Sequence, residues 1–170
     1  MYEAGVWLIA ICPETGSPRV MVEIQKKIDK NKNKQVIDWC RKIGIKTYVC
    51  FIFGFPFETL EDLKMSASFI ESIGPDVIHI TRALPIPGTP LYEKVASKHN
   101  KEDFMQEDGM LFGLQKIKDT RINSVQFSRM VKSIYRRFYF NPIKMFRLIS
   151  MLPLRNLMRL FIYAILTKNI

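Results

Sequence analysis

The chain has 170 residues, of which 48% are hydrophobic, so it can bury one core and is not a globally disordered protein. The formal net charge is +10, and the basic excess lies near the C-terminus, because no acidic residue follows Asp119 whereas ten basic residues do. Three cysteines, an odd number without a CxxC spacing, fit a disulfide framework poorly and favour a reducing, cytosolic setting. We expect a cytoplasmic protein, since no basic signal-peptide start and no apolar run of about 18 residues is present.

The first hundred residues repeat a pattern in which a helix ends at glycine and an apolar strand follows. The glycines are Gly5, Gly44 and Gly74, and the predicted strands cover residues 6–12, 46–53 and 76–81. Glycine ends helices readily because it adopts the left-handed conformation without steric cost. The strands are nearly continuous apolar runs, which is typical of sheets covered on both faces.

Helical patterns lie between these strands. Thr59 and Asp62 have the spacing of a capping box, and the residues after Thr59 place apolar side chains on one face of a helix. The preceding helix is predicted to bury Val36, Ile37, Cys40 and Ile43. Strands that alternate with helices predict a parallel α/β sheet, and about three βα units correspond to half of a TIM-like barrel, residues 1–100.

Polar and turn-forming residues follow each predicted strand, where parallel α/β folds bind their ligands. After the first strand, Glu14 could accept hydrogen bonds from a diol, or Thr15 or Ser17 could simply cap the next helix. Gly54 and Pro56 shape the second loop, either to bind a ligand or only to form the turn from strand to helix. The third loop begins at Pro85 and is stiffened by further prolines, which alone favours a structural role.

One residue of the third strand and one at its end also have two interpretations each. His79 is either a hydrogen-bonded interior residue or a ligand, and Arg82 meets either an anionic group or a surface carboxylate. The cysteines Cys12, Cys40 and Cys50 fall on a strand, a helix and a strand, so we predict that they are core residues.

Residues 101–170 are predicted to form a basic, amphipathic helical extension. A helix begins near Asn123, and Asn141-Pro142 stops it and starts another. Basic residues interleaved with large aliphatic ones suit an anionic membrane surface along residues 123–168, or these helices pack on the barrel. A nucleic-acid partner is not expected, because no polar basic face and no binding motif is present.

Together, the loops resemble the radical S-adenosylmethionine (SAM) superfamily, in particular its cobalamin-binding-domain-associated branch. The matching segments are Glu3-Ala4-Gly5 with Pro13-Glu14-Thr15-Gly16-Ser17-Pro18-Arg19-Val20, Phe51-Ile52-Phe53-Gly54-Phe55-Pro56-Phe57-Glu58-Thr59, and Pro85-Ile86-Pro87-Gly88-Thr89-Pro90-Leu91-Tyr92-Glu93. The tail Arg136-Arg137-Phe138-Tyr139-Phe140-Asn141-Pro142 resembles the helical extension of the same branch. The resemblance covers most of the chain and makes the three strands the fourth to sixth of a six-stranded partial barrel.

The resemblance implies a partial SAM site. Glu14 would contact the SAM ribose from a loop that continues through Thr15, Gly16 and Ser17. The backbone around Ile52, Gly54 and Pro56 would line the adenine and methionine side of the pocket, and the loop from Pro85 would close its top. Pro13 stands where the family has Ile or Val, and Phe57 where glycine is common.

The family's CxxxCxxC motif is absent from the sequence. We therefore expect a 4Fe–4S cluster and cobalamin only in a complete enzyme, whose N-terminal half this chain would lack or receive from a separate chain. On this interpretation the chain is a fragment or subunit of a radical methylase or rearrangement enzyme, inactive alone, in the cytoplasm or at the inner face of the membrane. The alternative is a non-catalytic, membrane-associated interaction module that retains barrel strands. A separate completing chain predicts apolar exposure along residues 6–12.

Overall fold

The computed structural model describes residues 1–84, 86–96 and 121–149, and of residues 94–96 and 147–149 it describes the backbone only. A 3-10 turn, Tyr2–Ala4, precedes the first strand. The strands are β1 (Leu8–Glu14), β2 (Lys46–Phe53) and β3 (Val77–Arg82). The helices are α1 (Pro18–Glu23), α2 (Lys30–Lys42), α3 (Leu60–Ile73), α4 (Pro90–Ala96), α5 (Ser124–Tyr139) and α6 (Pro142–Ile149).

The three strands form one parallel sheet in the order β1-β2-β3, which confirms the predicted α/β class. Ala10 pairs with Tyr48 across the first interface, and Cys50 pairs with His79 across the second. Each predicted strand is present, with β1 starting and ending two residues later than predicted. Because the connections α1–α2 and α3 return the chain to the next strand in order, the arrangement is compatible with a segment of a partial barrel.

The main core lies between the sheet and the helices α2 and α3. Val49, Phe51 and Phe53 of β2 point into it, and Ile37 of α2 and Ile70 of α3 cover them from above. The intervening β2 residues are only half-buried. Among the described residues the sheet is thus covered on one face, whereas the apolar strand pattern predicted cover on both. The cause is that both crossover helices pack on the same side.

The ends of α3 follow the sequence closely. Thr59 and Asp62 form the predicted capping box, and Gly74 ends the helix with a φ of 56° in the left-handed region. In α2 the buried residues are Ile37 and Cys40, whereas Ile43 is 52% exposed, contrary to the predicted buried face. Ile43 follows the last residue of α2, where the chain already turns towards β2.

Helix α5 covers the outer edge of β3, which has no further strand beside it among the described residues. The Tyr139 hydroxyl accepts from Ile78 N at 3.2 Å and donates to Ile78 O at 3.1 Å. The Tyr135 hydroxyl accepts from Ile80 N at 2.9 Å. Two phenols therefore occupy the edge positions where a neighbouring strand would supply carbonyl and amide groups.

The described part of the chain contains no helix that is both long enough and apolar enough to span a bilayer. The predicted break between two C-terminal helices is confirmed, because α5 ends at Tyr139 and α6 begins at Pro142. Asn123 caps α5 as predicted, within a capping box that Gln126 completes.

We predict that Tyr139→Phe lowers the free energy of unfolding by about 1–3 kcal/mol, since it leaves both backbone groups of Ile78 without a partner. Chemical denaturation followed by circular dichroism measures this change. Tyr2→Phe is the matched control, because Tyr2 is exposed, and it should leave the unfolding free energy unchanged. Equal stability of the Tyr139→Phe protein and the wild type would contradict the edge-sealing role.

Candidate functional site

Glu14 ends β1 in a strained turn. Its φ is 66°, in the left-handed region that side-chain-bearing residues rarely enter, and Thr15 N donates to Pro13 O at 2.8 Å across it. The pairing register with β2 shifts between Ile11 and Glu14. Backbone strain of this kind persists where the surroundings over-determine it, and it concentrates at functional sites.

The Glu14 carboxylate is paired with Lys26, a residue that the sequence did not single out. Lys26 Nζ lies 2.6 Å from Glu14 Oε1, and the two side chains are 43% and 15% exposed. The pair leaves the second carboxylate oxygen as an acceptor for a ligand hydroxyl. The separation of twelve residues matches no helical or strand spacing, so the sequence held no signal for Lys26.

Residues 15–17 are buried against the first turns of α3. Gly16 N donates to Ser66 Oγ at 2.9 Å, and the hydroxyls of Thr15 and Ser66 are 3.2 Å apart. A Cβ on Gly16 would lie 2.7 Å from the Cα of Ser66 and from the Cβ of Phe69. The close backbone approach at Gly16 is therefore to α3, and Ser17 is the N-cap of α1, as one of the two sequence interpretations had it.

Asp62 joins this loop to the loop after β2. Its carboxylate accepts from Ser17 Oγ at 2.5 Å, from Arg19, and from Thr59 N at 2.8 Å and Thr59 Oγ1 at 2.6 Å. Burial alone would raise the pKa of Asp62, but the hydrogen bonds from Arg19, Ser17 and Thr59 outweigh it and hold the pKa well below its ordinary value. We call these four side chains the Asp62 network.

The loop after β2 turns at Gly54, whose φ is 84°. Gly54 N donates to Glu58 Oε2 at 2.5 Å, and the Glu58 side chain is fully buried with Oε1 lacking a partner. Burial raises the pKa of Glu58 to about 7, although the hydrogen bonds from the Gly54 and Phe55 amides act in the opposite direction. No motif or spacing in the sequence indicated that Glu58 holds this turn.

Arg82 ends β3 beside the Gly54 turn. Its guanidinium carbon is 4.7 Å from the centre of the Phe127 ring, and its Nε is buried without a hydrogen-bond partner. No carboxylate among the described residues pairs with it, so the surface ion pair that the sequence allowed is not present there. Burial lowers the pKa of the guanidinium, and an anion beside it would relieve this cost.

The remaining predicted site residues are distributed over the same edge of the sheet. Ile52 is half-buried and pairs with Thr81 of β3, and Pro56 O accepts from Arg121 N at 3.3 Å. Pro85 lies outside the described residues. The structure thus brings Glu14 and the 52–56 loop to neighbouring strand ends, and it places Thr15, Gly16 and Ser17 against α3 instead.

The uncovered face of the sheet carries His79 and two of the cysteines. Cys12 is exposed and Cys50 is half-buried on this face, so the prediction of core cysteines holds only for Cys40, a buried residue of α2. The His79 ring stacks on Tyr48 with their centres 6.0 Å apart. Within residues 1–84, 86–96 and 121–149 no group of three His, Cys, Asp or Glu side chains could hold a metal ion. These residues therefore do not fit an iron–sulfur cluster.

Comparisons with known proteins find relatives at low identity. The chain is 28% identical over 147 residues, 84% of its length, to an uncharacterized methyltransferase of Pyrococcus horikoshii, of which it covers 31%. It is 29% identical over 92 residues to a putative methylthiotransferase of Methanocaldococcus jannaschii, covering 54% of the chain and 20% of that protein. It is 24% identical over 139 residues to an anaerobic magnesium-protoporphyrin IX monomethyl ester cyclase of Rubrivivax gelatinosus, covering 82% of the chain and 24% of that protein.

The chain spans between a fifth and a third of the length of these relatives. No family model matches the sequence. The named activities of the relatives are of methyltransferase, methylthiotransferase and cyclase type, which is consistent with the radical SAM resemblance of the three loops.

The raised pKa of Glu58 predicts a pH-dependent stability. The folded protein holds this proton more tightly than the unfolded chain, so the contribution of Glu58 is fully present below about pH 4.5 and is lost as the pH rises through about 7. We expect the free energy of unfolding to fall by about 3 kcal/mol over that interval. Denaturant titrations at a series of pH values measure the fall.

Glu58→Gln should remove this part of the pH dependence, because a neutral amide oxygen still accepts from Gly54 N. Glu61→Gln, one turn away and exposed, is the control and should keep the wild-type slope. A Glu58→Gln protein with the wild-type slope would show that another group causes the fall.

Proposed function

We propose that this chain contributes part of the SAM pocket and one wall of the substrate cavity of a radical SAM enzyme of methyltransferase type. The observation that carries the proposal is the strained turn at Glu14, which presents a carboxylate at the end of β1 next to the Gly54 turn of β2. The loop resemblance and the methyltransferase names of the relatives support it.

In the proposed site, Glu14 accepts hydrogen bonds from the two ribose hydroxyls of SAM. Lys26 stays paired with one carboxylate oxygen and keeps the Glu14 side chain oriented. Ile52 offers an apolar contact to the adenine, and the backbone at Gly54 and Pro56 borders the methionine side. When bound with a reduced iron–sulfur cluster, SAM supplies either a methyl group or a 5′-deoxyadenosyl radical.

We further propose that the three-stranded sheet is half of a TIM-like partial barrel. The complete enzyme would belong to the cobalamin-dependent branch of the superfamily. The iron–sulfur cluster and cobalamin would then be held by an N-terminal half, in the same or a separate polypeptide, and activity would require that half. Support comes from β1, which has no strand on its outer side among the described residues and is preceded by Trp7, 61% exposed. The reaction would be a radical methylation or rearrangement.

Titration of SAM into the ¹⁵N-labelled chain, followed by amide chemical shifts, tests the proposal. We expect weak, millimolar binding, with shifts confined to residues 14–17 and 52–56. Glu14→Gln should weaken the binding about tenfold, because it removes a charge-assisted acceptor without changing the shape of the side chain.

Glu61→Gln is the matched control, since it removes one exposed carboxylate on α3 and should leave SAM affinity unchanged. Shifts that lie elsewhere, or affinity that is the same in the Glu14→Gln and wild-type proteins, would refute the assignment of Glu14 to the ribose. Addition of a cluster-bearing N-terminal half should then tighten SAM binding, and no tightening would count against the half-barrel proposal.

A further inference from the structure

Helix α5 carries a basic stripe on its exposed side. Arg129, Lys132 and Arg136 are spaced three and four residues apart, and all three are exposed. The same stripe continues to Phe140, the C-cap residue of the helix. None of the three basic residues forms an ion pair with an acidic residue in the described part of the chain.

The turn after α5 and the start of α6 carry exposed large apolar side chains, and we call this segment, residues 140–146, the apolar turn. Phe140 is 75% exposed, Ile143 64% and Phe146 73%. Asn141 fixes this turn, because its Oδ1 accepts from Ile143 N at 3.0 Å and its carbonyl accepts from Met145 N at 2.9 Å. A built turn that exposes three such side chains together marks an interaction surface.

The opposite side of α5 packs against the rest of the protein. Ile134 and Phe138 are buried in the core, and Arg137 lies 3.6 Å from Glu71 of α3. Lys144 Nζ lies 3.6 Å from the centre of the Phe138 ring. Helix α5 therefore has a fixed orientation, and the side chains of its basic stripe and of the apolar turn remain exposed.

The positive charge of this surface indicates which class of partner it binds. Basic residues border the apolar turn, and no acidic residue occurs after Asp119 in the sequence. Lipid bilayers with anionic headgroups present both an apolar interior for the turn and negative charge for the stripe. A nucleic acid would leave Phe140, Ile143 and Phe146 without an apolar environment.

We propose that the α5–α6 turn binds the surface of a membrane that contains anionic lipid. Phe140, Ile143 and Phe146 enter the headgroup boundary, and Arg129, Lys132 and Arg136 lie against lipid phosphates. None of these six residues belongs to the proposed SAM site, so the proposal does not depend on that site.

Sedimentation of the full chain with vesicles tests this proposal. We expect binding to vesicles of phosphatidylglycerol and phosphatidylcholine, weakened by high salt, and little binding to phosphatidylcholine alone. The double variant Phe140→Ser, Phe146→Ser should reduce the vesicle partition coefficient at least about tenfold. Circular dichroism confirms that the variant remains folded, which its exposed positions predict.

A charge-matched pair of triple variants tests whether vesicle binding depends on the basic stripe or only on the net charge of the protein. Most of the vesicle binding should be lost in the triple variant Arg129→Gln, Lys132→Gln, Arg136→Gln. Lys27→Gln, Lys32→Gln, Lys42→Gln removes the same charge from exposed positions elsewhere and should retain it. The proposal would be overturned if the two triple variants lost binding equally or if the folded wild type did not bind. Full binding by the Phe140→Ser, Phe146→Ser protein would also overturn it.

Discussion

The hydrogen bonds to the Asp62 carboxylate are the interactions on which the loops after β1 and β2 depend. One oxygen accepts from the Ser17 hydroxyl, and the other accepts from Arg19 and from the backbone and side chain of Thr59. Asp62 therefore completes the N-terminal cap of α3 and also holds the N-cap residue of α1. A single buried charge, satisfied by four donors, fixes the loop after β1 against the loop after β2.

This anchoring explains how Glu14 can remain in an unfavourable backbone conformation. The residues immediately after it are held by Ser66 and Asp62, so the chain has no freedom to relax the turn. The second loop is fixed in a comparable way, because Glu58 accepts from Gly54 N within the turn itself. The two loops are thus rigid before any ligand arrives, which lowers the entropic cost of binding.

The sequence predicted the features that depend on neighbouring residues. The capping box at Thr59 and Asp62, the glycine at the end of α3 and the break at Asn141-Pro142 are local signals, and the structure has all three. The parallel sheet followed from the alternation of apolar strands with helical segments.

Features that depend on distant residues could not be predicted. Lys26 reaches Glu14 only because α1 turns the chain back, and Tyr139 reaches Ile78 across 61 residues. Periodicity also could not reveal that the described helices cover only one face of the sheet, because an apolar strand has the same sequence pattern whether a helix or a cavity faces it. Cys12 was misassigned to the core for this reason.

Hydrogen exchange of backbone amides in Asp62→Asn measures most directly whether one carboxylate fixes both loops. We expect faster exchange at Gly16 in the first loop and at Val20 in the first turn of α1, as well as at Thr59 in the second loop, while Val49 in the centre of β2 remains protected. Faster exchange limited to the first turn of α3, with Gly16 and Val20 unchanged, would show that Asp62 caps one helix and nothing more.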